Sequence, residues 1–272
     1  ENDLIQAEAK TILYAPDNRL RYIPISALYD GNQWLIEQFN INNITAASLT
    51  DLTIQTSEEP RVLAAAFSSG NHQVQIGNRQ FSFKGLTYAG LEVQNIAKRI
   101  PKTTQLINQE FNRNAVIPVL NDHSIIHFAT HAAFVPGQPE DSFILLGDGD
   151  HLTLREIETW NLPNVTLVVL SACQTAVNGQ LGNGEEILGL GYQMQQAGVL
   201  ATIASLWKVD DQGTQVFMEA FYTDLLSGKY TKAEALRQAQ LEFSQNSTQN
   251  NSFSHPYYWA PFILIGNGLS TF

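Results

Sequence analysis

Three stretches of the chain are mainly apolar without strict alternation: Arg61 to Phe67, Ile125 to Ala132, which also carries His127, Thr130 and His131, and Val165 to Leu170. Runs of this kind, rich in Val, Ile, Leu and Ala, predict strands buried on both faces, as in the middle of a parallel sheet. Between them the period changes. From Ala89 to Ile100, Leu91, Val93, Ile96, Ala97 and Ile100 recur at helical spacing, and Pro101 bars continuation. Thr104 to Ile107 predicts a short strand and Arg113 to Leu120 a helix, while the polar stretch from Ser68 to Lys84 predicts a loop or a weak hairpin.

The alternation persists to the end of the chain. Ile187, Leu190, Met194 and Ala197 form the stripe of a helix closed by Gly198, and Ala201 to Trp207 predicts another strand. Helices follow over Thr214 to Leu226, where Phe217, Ala220, Phe221 and Leu225 share a face, and after Thr231, which forms a capping box with Glu234 ahead of Leu236, Ala239 and Phe243. Ser244 to Ser254 predicts a loop and His255 to Ile265 a final strand that carries Trp259. Strands alternating with helices predict an α/β fold with a mostly parallel central sheet. At 272 residues, 44% of them hydrophobic, the chain can bury a large core across residues 1–272, as one large domain or two tightly joined halves, 1–105 and 106–272. No internal repeat or low-complexity tract interrupts it.

Candidate chemistry collects at two of the strand ends. Cys173, the single cysteine, stands where Val165 to Leu170 gives way to Ser171-Ala172-Cys173-Gln174-Thr175, and the carboxyl end of a parallel strand is the usual catalytic edge. An unpaired cysteine more commonly fills a core as a small apolar side chain. A nucleophilic thiol needs a partner, because its ordinary pKa of about 8.5 leaves little thiolate at neutral pH. His131, 42 positions earlier (173 − 131) and at the end of its own strand, fits that role, and the separation is ample for a return in the parallel direction.

Other chemistries fit less well. His123, His127 and His131 are spaced four apart as zinc ligands on a helix would be, but they fall on a strand, where about 3.3 Å per residue separates the outer two too far to share an ion. No metal site is therefore predicted, and His127, an even number of residues from His131, reads as a hydrogen-bonded core residue on the same side. Gly182-Asn183-Gly184-Glu185-Glu186-Ile187-Leu188-Gly189 departs from the dinucleotide fingerprint, lacks the lysine of a phosphate loop and sets two carboxylates where phosphates would lie, so no cofactor is predicted. It reads instead as a flexible loop leading into a helix whose first turn carries Glu185 and Glu186, as the macrodipole favours.

The net charge of −11, with no basic cluster, argues against nucleic-acid binding. One cysteine excludes an internal disulfide framework. The absence of an apolar run of eighteen or so residues and of a basic secretion flank near Glu1-Asn2-Asp3 argues against a membrane and for a cytoplasmic location. The missing initiator methionine is expected of a fragment of a longer protein.

Four blocks, in order, resemble the signatures of the CHAT domain family: His127-Phe128-Ala129-Thr130-His131-Ala132, Leu170-Ser171-Ala172-Cys173-Gln174-Thr175, Ala204-Ser205-Leu206-Trp207-Lys208-Val209-Asp210-Asp211 and His255-Pro256-Tyr257-Tyr258-Trp259-Ala260-Pro261-Phe262. Tyr14 to Leu28 is similar to the family's opening strand pair, which extends the resemblance over nearly the whole chain. It implies a caspase-like α/β/α sandwich, a dyad of His131 and Cys173, hydrolysis of peptide bonds in protein or peptide substrates, and an upstream tetratricopeptide repeat domain or regulatory partner. It also implies an oxyanion hole from the amides of Cys173 and of Ala132, where most relatives carry glycine; an alanine amide still donates, although its Cβ disfavours φ > 0. In many caspase relatives the loop corresponding to Gly182 moves on activation. The block around Trp207 resembles the separase segment that recognises arginine, which implies Asp211 first and Asp210 second as the pocket carboxylate and Trp207 as a pocket wall. The alternative for both aspartates is helix capping, and for Trp207 a core position. Two functions stay open: a cysteine endopeptidase cleaving after Arg or Lys, and a catalytically silent binding or assembly module.

Overall fold

The computed structural model describes residues 2–46, 50–54, 59–76, 78–133, 135, 141–174, 185–245 and 253–272. Its strands are β1 (Thr11–Tyr14), β2 (Asn40–Asn43), β3 (Val62–Ala66), β4 (Asn71–Ile76), β5 (Arg79–Lys84), β6 (Thr103–Ile107), β7 (Ile125–Ala133), β8 (Phe143–Leu145), β9 (His151–Thr153), β10 (Leu167–Gln174), β11 (Ala201–Ser205) and β12 (Phe262–Gly266). The helices are α1 (Asn2–Gln6), α2 (Leu35–Gln38), α3 (Ala89–Arg99), α4 (Arg113–Val116), α5 (Leu154–Ile157), α6 (Glu185–Gln196), α7 (Asp211–Leu225), α8 (Lys232–Gln245) and α9 (Pro256–Trp259).

The main sheet has the order β1-β2-β12-β11-β10-β7-β3-β6. Neighbours from β11 to β6 are parallel, β12 is antiparallel to β11, and β1, β2 and β12 are parallel to one another. The three unalternating apolar runs occupy its centre as β3, β7 and β10, because only a strand covered on both faces buries consecutive apolar side chains. Val62, Ala64, Ile125, Leu167 and Val169 pack under α3, α7 and α8, through Val93, Phe217, Phe221 and Leu236. Leu63, Ala65, Ile126, Phe128, Val168 and Leu170 meet the opposite layer, through Val116, Ile157, Leu190 and Met194 of α4, α5 and α6. The result is an α/β/α sandwich with strands from both halves of the chain in one sheet.

Local chemistry accounts for most element ends. Thr231 and Glu234 form the expected reciprocal cap, with Thr231 N donating to Glu234 Oε2 at 2.9 Å and Glu234 N to Thr231 Oγ1 at 3.2 Å. Past the end of α6, Gly198 adopts φ +99°, which a side chain would disfavour. Ser68 to Lys84 resolves into the β4–β5 hairpin, fastened by Phe81 and Phe83 against Phe67 and Phe143 in a separate apolar cluster.

Three expectations are corrected. Tyr14 to Leu28 forms no strand pair: β1 ends at Tyr14, and Asn18–Tyr22 and Ile25–Ala27 are 3-10 turns. Pro16 and Pro24 cannot donate to a ladder, and Asp17 caps the first turn through Asn18 N, so β1 pairs instead with β2. His255 to Ile265 does not run as one strand, because His255 Nδ1 accepts from Tyr257 N and Pro256 occupies the first turn of α9; the strand begins at Phe262. The helix expected over Arg113 to Leu120 stops at Val116 and tightens into a 3-10 turn over Ile117–Asp122, where Pro118 has no amide hydrogen.

Phe128 is fully buried in β7 and its ring lies 5.2 Å from that of Phe111. Phe128→Ala removes a ring that the close-packed layer cannot replace, and urea unfolding should show a loss of about 3–5 kcal/mol.

Candidate active site

The pairing of β7 with β10 brings the two predicted strand ends side by side. In register, Ala172 lies opposite His131 and Cys173 opposite Ala132, after an irregularity between Leu170 and Ala172. Adjacent strands lie about 4.8 Å apart, so the backbones of His131 and Cys173 are neighbours at the carboxyl edge of the sheet. The side chains of Ala172, Cys173 and Gln174, and residues 175–184 with the Gly182 loop, lie outside the described residues.

The His131 imidazole is held from the hairpin side. Its Nε2 lies 2.8 Å from the Lys84 carbonyl oxygen. A carbonyl can only accept, so Nε2 carries the hydrogen, and in the neutral ring Nδ1 holds the lone pair. The Phe83 and Phe67 rings flank the imidazole, with centroids 5.0 and 6.3 Å away. Burial among them lowers the His131 pKa, the Lys84 carbonyl opposes that shift, and the positive charge of Lys208 adds to it. The imidazole is therefore a neutral base at neutral pH.

The Lys84 carbonyl is itself fixed by close backbone contacts. Gly85 N donates to Gly70 O and Leu86 N to Phe67 O, both at 2.9 Å. A Cβ on Gly85 would fall 2.4 Å from Ser69 N, so only glycine permits this approach. Asn108 braces the same turn, its Oδ1 accepting from Ser68 N and Ser69 N at 2.8 and 3.0 Å.

On the face of β7 toward α3 and α7, His127 is fully buried. Its Nε2 lies 2.7 Å from Glu92 Oε1 and its Nδ1 3.1 Å from Tyr222 Oη. It is the hydrogen-bonded core residue the sequence predicts. Burial and the nearby Glu92 carboxylate raise the Tyr222 pKa well above its ordinary value, so Tyr222 stays a phenol. His123 has separate partners, Thr104 Oγ1 and Val119 O.

The two aspartates do different things. Asp210 caps α7, with Gly213 N donating to its Oδ1 at 2.7 Å. Asp211 reaches the start of α3, accepting from Tyr88 N at 2.9 Å through Oδ2. Burial raises the Asp211 pKa, the Tyr88 amide opposes the shift, and the carboxylates of Glu92 and Asp210 add to it. Trp207 is partly exposed; its Nε1 donates to Tyr257 O at 3.1 Å, and Tyr257 Oη donates to Lys208 O at 2.9 Å. These bonds clasp the turn after β11 to α9.

Ala132 is buried within β7, opposite Cys173 on one side and Ile144 of β8 on the other. It is not among the described non-glycine residues with positive φ, so its Cβ brings no strain. Sequence reasoning missed Lys84 and the linkage of Glu92 to His127. A backbone carbonyl carries no residue-type signal, and Glu92 occupies an otherwise ordinary position in an amphipathic helix.

Comparisons with known proteins agree with this architecture. The CHAT domain family model matches residues 1–267. Tetratricopeptide repeat protein 28 of Homo sapiens is 24% identical over 305 aligned positions, which cover 95% of this chain but only 12% of that protein. Among solved structures, the Saccharomyces cerevisiae separase–securin complex superposes with a TM-score of 0.60 at 11% identity, over 96% of this chain and 16% of that one. The Arg specific cysteine proteinase gingipain R gives a TM-score of 0.52 at 10% identity, over 85% and 55% of the two chains. At these identities the structural likeness is one of fold, caspase-like and α/β.

The surroundings of His131 set its titration. Nuclear magnetic resonance should place its midpoint below the ordinary value of about 6.5, and Lys208→Gln should move it upward, since one cationic neighbour is gone. Because the unfolded imidazole binds a proton that the folded one resists, this group's contribution to stability is present above about pH 6.5 and declines as the pH falls below it.

Proposed function

Since the chain belongs to the CHAT domain family, we propose that it is a cysteine endopeptidase hydrolysing peptide bonds in protein substrates through His131 and Cys173. The observation that carries this reading is the parallel register of β7 and β10, which makes the two residues backbone neighbours at one sheet edge. The commitment of His131 Nε2 to Lys84 O supports it further, because Nδ1 is then the nitrogen left to deal with a thiol. A core thiol would have no use for an ionisable neighbour kept neutral and oriented.

The chemistry follows in two stages. Cys173 gives its proton to His131, and the thiolate attacks the scissile carbonyl. The carbonyl oxygen gains negative charge as the tetrahedral intermediate forms, and the amides of Ala132 and Cys173 are the donors assigned to it. As the C–N bond breaks, the imidazolium returns its proton to the leaving amine. Water, losing a proton to His131, then attacks the thioester, releases the acid product and restores the thiol.

Specificity is assigned to a basic residue, Arg or Lys, on the acyl side of the cleaved bond. Asp211 is the first choice for the pairing carboxylate and Asp210, already engaged by its own helix, the second, with Trp207 as a wall. A guanidinium is recognised by a carboxylate through two parallel hydrogen bonds, which gain strength when shielded from water. The description of gingipain R as Arg specific is consistent with that choice. The repeats in the name of the human relative support an attached repeat domain that selects the protein substrate.

A peptidyl acyloxymethyl ketone ending in arginine should add covalently to Cys173, as read by intact-mass and peptide spectrometry. Cys173→Ala should abolish the adduct, and Asp211→Asn should remove the preference for arginine over leucine reagents. A folded, full-length protein that takes up no reagent would instead be a binding or assembly module.

A further inference from the structure

Asp211 is joined to His131 by a short, continuous piece of backbone. Lys84 O receives the imidazole hydrogen at one end of the segment Lys84 to Tyr88, and Tyr88 N donates to Asp211 Oδ2 at the other. Tyr88 precedes the first residue of α3 and offers no side-chain cap; Ala89 N donates to Leu86 O, and Tyr88 N needs an acceptor from outside the segment. The Asp211 carboxylate, from the first residue of a different helix, supplies one. One turn further along α3, Glu92 is bonded to His127, which lies on the same strand as His131 and an even number of residues away. Imidazole, Lys84 to Tyr88, Glu92 and His127 thus form a closed circuit on one face of β7, and Asp211 ties that circuit to α7. Lys208, whose charge acts on His131, is three residues earlier in the same chain segment.

We propose that Asp211 is a positioning residue for His131: by accepting from the start of α3 it holds the Lys84 carbonyl where it selects the Nε2–H tautomer. This rests on the reading of His131 as the base of the dyad, and it gives Asp211 a role that does not depend on a substrate. The two roles separate by chemistry. Recognition of a guanidinium needs the negative charge, whereas holding Tyr88 N needs only an oxygen that accepts. The acceptor stands beside other carboxylates, Glu92 and Asp210, and burial together with their charge raises its pKa. Among the described residues, the groups around the imidazole itself include the Lys84 carbonyl, the Phe67 and Phe83 rings and the Lys208 ammonium.

The test uses ¹⁵N-histidine spectra of the whole chain, with the His131 signals assigned by their loss in His131→Gln, and the rate of Cys173 alkylation by iodoacetamide, a small neutral reagent. Wild type and Asp211→Asn should both show the Nε2–H tautomer and alkylation rates within about twofold of each other. Asp211→Ala should populate both tautomers, move the His131 titration upward as the ring gains water, and slow alkylation about tenfold or more. Asp210→Ala, which loses the cap of α7 but has no bond to α3, should leave the His131 tautomer signals unchanged. The proposal is overturned if Asp211→Ala leaves those signals as in wild type, if Asp211→Asn disturbs them as much as Asp211→Ala, or if Asp210→Ala disturbs them equally. Failure of the peptidase reading would appear differently: no arginyl ketone adduct in wild type, with the tautomer response to Asp211 still readable.

Discussion

The parallel pairing of β7 with β10 is the constraint on which the site depends. Both strands are covered by helices on both faces, so each can consist of consecutive apolar residues and each is specified by burial on two sides. Their register runs from Ile125 opposite Leu167 to Ala133 opposite Gln174, with one irregularity between Leu170 and Ala172. A bulge of this kind re-aims the residues beyond it, and it falls immediately before the pair formed by His131 and Ala172. The apolar core thus does more than stabilise the sandwich. It decides which backbone atoms stand beside Cys173.

The state of the imidazole is set from outside the sheet. The β4–β5 hairpin delivers Phe83 to one side of the ring and Lys84 O to Nε2, while Gly85 lets the turn close against Ser69. Burial, the Lys84 carbonyl and the Lys208 charge act in opposed directions, with burial the largest, and the balance keeps the ring neutral. A thiol beside a neutral, tautomerically fixed imidazole has a base to which it can pass its proton. The hairpin is thereby functional, although it adds no strand to the main sheet.

The central strands were legible because β-branched and aliphatic runs without alternation have few other solutions, and His131 and Cys173 were legible because each ends such a run. Helical periods gave α3, α7 and α8 to within a few residues. What was not legible depended on contacts distant in sequence or on backbone atoms. Asp211 meets Tyr88 across 123 positions and Glu92 meets His127 across 35, and neither pair leaves a local pattern. The turns at Asn18–Tyr22 and Pro256–Trp259 were hidden by apolar and aromatic residues that suit strands, while the prolines and the caps of Asp17 and His255 decided otherwise. The sequence offered the adjacent aspartates 210 and 211 the same two roles, pocket carboxylate or helix cap, yet they accept at the starts of two different helices.

Because Cys173 is the only cysteine, its ionisation can be followed without assignment, by the ultraviolet absorbance of the thiolate as a function of pH. The pairing of Cys173 with His131 predicts that the thiolate transition of wild type is displaced when the imidazole is removed in His131→Ala. Identical transitions in the two proteins would contradict the dyad.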